Sequence, residues 1–239
     1  MTKNRTSRGG ARGSRGRALK VRVKSARGRS ASSTRWLDRQ LNDPYVAAAK
    51  AEGLRSRAAF KLMEIDDSHA LFEVGQVVVD LGAAPGGWSQ VAAKRVAAET
   101  GEGRVVAIDL LEMEPLAGVE FARLDFDAPD AERRIKALLA GDAADVVLSD
   151  MAAPSTGHRQ TDHLRIVALC EAALDFARAH LKPGGAFLAK VLQGGTEHTV
   201  LAAMKRDFAA VRHVKPRASR AQSAETYVLA QGFRGRTIC

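Results

Sequence analysis

Val77-Val-Val-Asp80-Leu-Gly82-Ala-Ala-Pro85-Gly86-Gly87-Trp88 is the stretch on which the reading of this chain turns. The run Val77–Leu81, apolar but for Asp80, has the length and β-branched content of a buried strand. Small residues follow it, so that main chain can approach a ligand where a side chain would clash, and a helix is expected around Gln90–Ala98. A strand, a glycine loop and a helix in that order open a sheet of the doubly wound α/β kind, whose ligands sit beyond the carboxyl ends of the strands. The loop is not a phosphate cradle: the Gly-x4-Gly-Lys-Ser/Thr spacing is missing, and glycines 82, 86 and 87 do not fit the dinucleotide pattern either.

Working outward, strands are expected at Val105–Ile108, Asp145–Ser149, Ala186–Leu192, His213–Arg217 and Thr226–Phe233, the last two antiparallel. Between them lie helices from Asp130 to about Leu139, across Leu164–Leu181 and near Val200–Phe208. Val167, Cys170, Leu174, Ala177 and Leu181 fall on one face of the second of these. Ser56 is expected to cap an earlier helix carrying Phe60, Lys61 and Met63. The strand ends place Asp80, Asp109, Asp125 and Asp150 at the ligand edge, and an acidic group at the position of Asp109 suits ribose hydroxyls. These features predict a nucleoside site without a pyrophosphate.

The net charge of +10 is unevenly placed. Residues 1–35 hold 12 Lys and Arg and no acidic residue; the 25 basic residues that remain face 27 acidic ones, a net of −2. That opening segment is rich in Gly, Ser and Arg and poor in apolar groups, so it is expected to be a disordered basic tail that attracts RNA phosphates. One folded domain is expected over 36–239, since 46% hydrophobic content at this length supports a full core. No apolar run is long enough to span a membrane and the first residues lack a secretory apolar core, which predicts a cytoplasmic protein. Cys170 and Cys239 form no disulfide framework, His158 and His163 lack partners at ligand spacing, and no metal is expected.

The glycine stretch, in the longer form VVDLGAAPGGWSQVA, resembles the first motif of class I S-adenosylmethionine methyltransferases, and specifically the FtsJ/RrmJ-type ribosomal RNA large subunit methyltransferase E family. The likeness extends to WLDRQLNDPYVAAAKAEGLRSRAAFKL at 36–62, DVVLSDMAAPSTGHRQTDH at 145–163, FLAKVLQGG at 187–195 and KPRASRAQSAETYVLAQGF at 215–233. It implies a mostly parallel, seven-stranded sheet with an antiparallel last strand, S-adenosyl-L-methionine as cofactor, and cofactor contacts from Gly86, Trp88, Asp109, Asp125 and Asp150. It further implies a catalytic set of Lys61, Asp150, Lys190 and Glu225, and as substrate a uridine ribose 2′-hydroxyl of large-subunit (23S) rRNA in the assembling particle. A monomer is expected.

The residues bear on that chemistry independently. A ribose hydroxyl is a poor nucleophile whose proton must be accepted, and Lys190 interrupts the apolar strand AFLAKVL, where a solvated surface lysine is not the obvious explanation. Lys190 is expected to take the proton, Asp150 and Glu225 to position it, and Lys61 to hold the hydroxyl or phosphate. A lysine merely paired with Asp150 and a tryptophan merely packed in the core are the plain alternatives. After Asp150 the chain reads Met-Ala-Ala-Pro154-Ser155, without the aromatic an exocyclic-amine methyltransferase needs, and neither cysteine is placed as a cytosine C5 nucleophile. Methylation of tRNA, or a non-catalytic role in ribosome assembly, remain open. Arg55, Arg57, Arg217 and Arg220 are candidate phosphate contacts.

Overall fold

A computed structural model of the chain describes residues 30–125, 128–141, 143–193 and 198–235. The chain divides into two compact units, Met1–Pro44 and Tyr45–Cys239. In the first, helix α1 spans Ala31–Leu41 behind an N-cap in which Ser30 Oγ accepts from the Ser33 N–H at 3.2 Å. The tail was expected to lack structure through residue 35, and its residues 31–35 are instead helical. Residues 1–29 and Cys239 lie outside the described residues.

From α2 (Pro44–Ala51) the order is α3 (Ala58–His69), β1 (Val77–Leu81), α4 (Gly87–Arg95), β2 (Arg104–Asp109), β3 (Val119–Arg123), α5 (Ala131–Leu138), β4 (Ala144–Ser149), α6 (Arg159–His180), β5 (Leu181–Leu192), α7 (His198–Asp207), β6 (Phe208–Val214) and β7 (Glu225–Phe233). The seven strands form one sheet in the order β3-β2-β1-β4-β5-β7-β6. β1 to β5 are parallel, and β7 runs antiparallel to both β5 and β6. This is the doubly wound sheet expected from the sequence. The order reverses between β1 and β4, the switch point beside which such sheets bind ligands.

Strand alternation sorts the side chains. Val79, Leu81, Val147, Phe187, Ala189, Val228 and Ala230 face a core closed by α5, α6 and α7. Val78, Val105, Val146, Leu148, Leu188, Tyr227 and Leu229 face the other layer, where Leu62 and Ile65 of α3 and Trp88, Val91 and Ala92 of α4 cover them. A strand repeats every two residues. Continuing the second set along its strands therefore carries Asp80, Asp109, Asp150, Lys190 and Glu225 to that same layer, at the carboxyl edge of the parallel strands.

Several boundaries differ from expectation. Ser56 does not cap α3; Arg57 occupies the N-cap and makes no side-chain cap bond. α4 begins at Gly87, earlier than expected, because Gly86 is the N-cap with φ +101°, a left-handed conformation that glycine adopts without strain. Phe208, expected to end a helix, opens β6 opposite Phe233. No strand was assigned from the residues at Val119–Arg123, where β3 forms the sheet's edge with no fully buried residue.

Candidate active site

Register brings the functional side chains together. Ser149 pairs with Ala189, and Lys190 with Tyr227, so the residue after β4, the lysine of β5 and the tyrosine of β7 stand side by side. Lys190 Nζ donates to Asp150 Oδ1 at 2.9 Å and to its main-chain oxygen at 2.7 Å. Tyr227 Oη donates to the same Asp150 Oδ1 at 3.1 Å and accepts from Lys61 Nζ at 2.9 Å. Lys61, carried over the sheet by α3, also meets Glu225 Oε2 at 3.1 Å. The result is a continuous chain of contacts, Lys190 to Asp150 to Tyr227 to Lys61 to Glu225. The side chains of Lys190 and Lys61 are 7% and 10% exposed, too buried for an unpaired ammonium, whereas Glu225 keeps 39% and faces solvent.

Burial opposes the charge on Glu225, but the Lys61 and Lys190 ammoniums, the hydrogen bond from Lys61 and the nearby Arg57 outweigh it and hold the carboxyl below its ordinary range. Tyr227 moves the opposite way: burial, the charges of Asp150 and Glu225 and the bond to Asp150 push its phenol well above the usual value. It therefore stays a neutral bridge between the two halves of the set.

Beside this set lies the glycine loop. The N–H groups of Gly82 and Ala83 both donate to Ile108 O, at 2.9 and 3.2 Å, and Ala84 N–H donates to Asp109 Oδ2 at 2.8 Å. Asp109 Oδ1 accepts from Leu111 N–H at 2.8 Å, and its main-chain oxygen accepts from Leu124 N–H at 3.0 Å, which brings exposed Asp125 to the same edge. Asp80 is fully buried: Oδ2 accepts from Ser89 Oγ at 2.6 Å, and Oδ1 has no hydrogen-bond partner. Burial, with Asp150 and Asp109 adding to it and Ser89 working against it, raises the Asp80 carboxyl to about 7.

Residues 54–233 match the FtsJ-like methyltransferase family. The chain belongs to that family. It is 66% identical to the Ribosomal RNA large subunit methyltransferase E of Xanthobacter autotrophicus over 94% of this chain and 88% of that one. It is 61% identical to the protein of the same name from Parvibaculum lavamentivorans, over 99% and 94%. Among solved structures, a Plasmodium falciparum protein assigned as a ribosomal RNA methyltransferase superposes with a TM-score of 0.68 at 27% identity, covering 76% of this chain and all of its own.

In this methyltransferase the structure joins Lys61, Asp150, Lys190 and Glu225, all named from the sequence, but divides them differently. Asp150 bonds Lys190, while the hydrogen bond of Glu225 goes to Lys61. Tyr227 was missed, although its place two residues beyond Glu225 puts both on one face, and a buried tyrosine hydroxyl needs a partner. Trp88, expected at the cofactor, is buried at 3% exposure, donates Nε1–H to Ala58 O at 2.9 Å and packs 5.4 Å from the Tyr227 ring. Its side chain is thus a core group linking the glycine loop to the Lys61–Tyr227–Asp150–Lys190 contacts. Arg57 donates to Ala218 O and lies over the Tyr45 ring, and Arg217 is exposed. No helix among the described residues is long and apolar enough to cross a membrane.

Proposed function

We propose that the chain is an S-adenosylmethionine-dependent methyltransferase that methylates the ribose 2′-hydroxyl of a uridine in large-subunit rRNA, on the assembling ribosomal subunit. The observation that carries the reading is the unbroken contact chain from Lys190 to Glu225 at the switch-point edge. The name shared by the two close relatives supports the choice of large-subunit rRNA.

The residues at the glycine loop fit the cofactor. Asp80 Oδ1 is a buried, partnerless acceptor, and Asp109 and Asp150 lie close enough to raise the Asp80 carboxyl further. A clustered negative potential of this kind suits a ligand bearing a sulfonium and an ammonium. Each Asp109 oxygen retains acceptor capacity for ribose hydroxyls after its backbone bond. Leu110 and Leu111, 57% and 68% exposed beside it, offer apolar surface to a purine. Gly86 and the first N–H groups of α4, Trp88 included, suit a carboxylate, and Asp125 stands at the same rim. The bound cofactor would supply an electrophilic methyl group.

The chain's own groups do the rest. As a neutral amine held beside Asp150, Lys190 would take the 2′-hydroxyl proton onto its lone pair as the ribose oxygen becomes methylated. Tyr227 and Glu225 hold Lys61 over the same space, where its ammonium can orient the hydroxyl or a neighbouring phosphate. Much of the acceleration then comes from orientation in a fixed frame.

The test is to incubate the protein with radiolabelled S-adenosylmethionine and ribosomal subunits from cells lacking it, and to map the label by nuclease digestion and mass spectrometry. One ribose-methylated uridine in large-subunit rRNA is expected, lost in Lys190→Ala while cofactor binding survives. Removing a general base should lower turnover by about 10²- to 10⁴-fold. Label on tRNA would move the substrate; near-normal turnover in the variant would remove Lys190 from its role.

A further inference from the structure

Arg55, whose position in the sequence suggests a phosphate contact, spends its side chain on the protein itself. Its Nη1 donates to Glu114 O at 2.6 Å and to Pro85 O at 3.3 Å, and its Nη2 donates to Pro115 O at 2.5 Å. Pro85 belongs to the glycine loop after β1; Glu114 and Pro115 belong to the loop after β2. The main chain of Arg55 is itself anchored to α4, because its N–H donates to Gln90 Oε1 at 3.0 Å while Gln90 Nε2 donates to Gly53 O at 3.0 Å. The stem lies directly on the glycine loop: a Cβ built on Gly86 would come within 3.0 Å of Arg55 Cδ and 2.8 Å of Met113 Sδ.

We propose that Arg55 is a positioning residue for the methyl-donor site, a clamp that holds the glycine loop and the loop after β2 at a fixed separation. The proposal rests on the donor site lying between those loops. Three carbonyl oxygens present their negative ends to one guanidinium, so a phosphate would have to displace them or share donors with them. A planar fork can reach three acceptors in two loops at once, whereas the compact ammonium of lysine cannot. Arg55 thereby acts on donor affinity through the geometry of its neighbours, with no contact to the reacting atoms required.

The experiment compares the wild-type chain with Arg55→Lys and Arg55→Ala by calorimetric titration with S-adenosylhomocysteine, by RNA binding across a salt series, and by hydrogen exchange of the loop amides. Both variants should weaken S-adenosylhomocysteine by about tenfold or more, since preorganisation is lost in each, and raise the KM for the donor more than they lower kcat. The amides of Gly82, Ala83, Ala84 and Gly86 and those of 110–114 should exchange faster, while those of β4 and β5 do not change, which separates the clamp from general unfolding. RNA affinity should stay within about twofold, and its salt slope should not change. Arg55→Lys retaining full donor affinity would overturn the clamp, because charge alone would then suffice. So would a loss confined to RNA binding, with a salt slope lower by about one. A wild-type chain that binds no S-adenosylhomocysteine would remove the donor-site reading itself, and faster exchange of the two loops in the variants would then show whether Arg55 still ties them together.

Discussion

Tyr227 shares its hydroxyl between Lys61 and Asp150, so it couples two ion pairs that would otherwise be separate. In Tyr227→Phe, Lys61 keeps Glu225 and Asp150 keeps Lys190. The folding cost should therefore be only about 1 kcal/mol. Orientation suffers more: single-turnover rates should fall about tenfold or more with donor affinity unchanged, and a variant as fast as the wild type would reduce Tyr227 to packing. Asp80 gives a prediction of a different kind. Its folded-state carboxyl titrates at about 7, above an unfolded value of about 4. The folded chain thus holds a proton that the unfolded chain has released, and the associated stability is present at low pH and lost as pH rises from about 4 to about 7. Thermal melts of the donor-free protein should show this decline, and Asp80→Asn should flatten it. S-adenosylmethionine, by supplying positive charge to the ionised carboxylate, should raise the wild-type melting temperature more above that window than within it.

At the scale of elements, the site depends on how closely the loop after β1 approaches the residue after β4. Gly82 has φ +76°, and a Cβ there would stand 2.7 Å from Met151 Cγ and 2.9 Å from Met151 Cα. Gly82→Ala adds backbone strain to that collision, together about 1–3 kcal/mol. Because Met151 follows Asp150, the displacement should weaken donor binding and turnover together, as titration and steady-state kinetics would show. The same contrast explains what the sequence disclosed. β1 could be bounded to the residue because Val77–Leu81 is apolar but for Asp80 and is followed at once by a glycine. β3 was not, since a half-exposed edge strand carrying Glu120 and Arg123 has no continuous apolar run, even though Pro115 and Gly118 punctuate the chain just before it. The four charged catalytic candidates were legible through family likeness and, for Lys190, through its isolation in an apolar strand. Their pairing was not, because it depends on the strand register and on where α3 crosses the sheet. The role of Arg55 was equally hidden, its acceptors being main-chain oxygens about 30 and 60 residues away that no side-chain pattern marks.

At the scale of the whole molecule, charge and chemistry occupy different parts of the chain. Residues 1–35 carry 12 of the 37 basic residues without an acidic one, while the remainder has a net charge of −2. A nearly neutral remainder gains little from phosphate attraction at long range, so most of the salt-dependent RNA affinity should reside in the opening segment. The proposed catalytic set, by contrast, lies wholly within Tyr45–Cys239. Deleting residues 1–29, which leaves Ser30 to cap α1, removes basic residues only from the first part. RNA affinity at low salt should fall by about tenfold or more and the slope of log affinity against log salt should flatten by several units. Turnover at saturating substrate and the affinity for S-adenosylhomocysteine should match the full chain. The measurement is a filter-binding salt series run beside kinetics on the same preparations. An unchanged slope would assign phosphate recognition to the catalytic unit, with exposed Arg217 as the first residue to test, and would leave the opening segment without a part in RNA affinity.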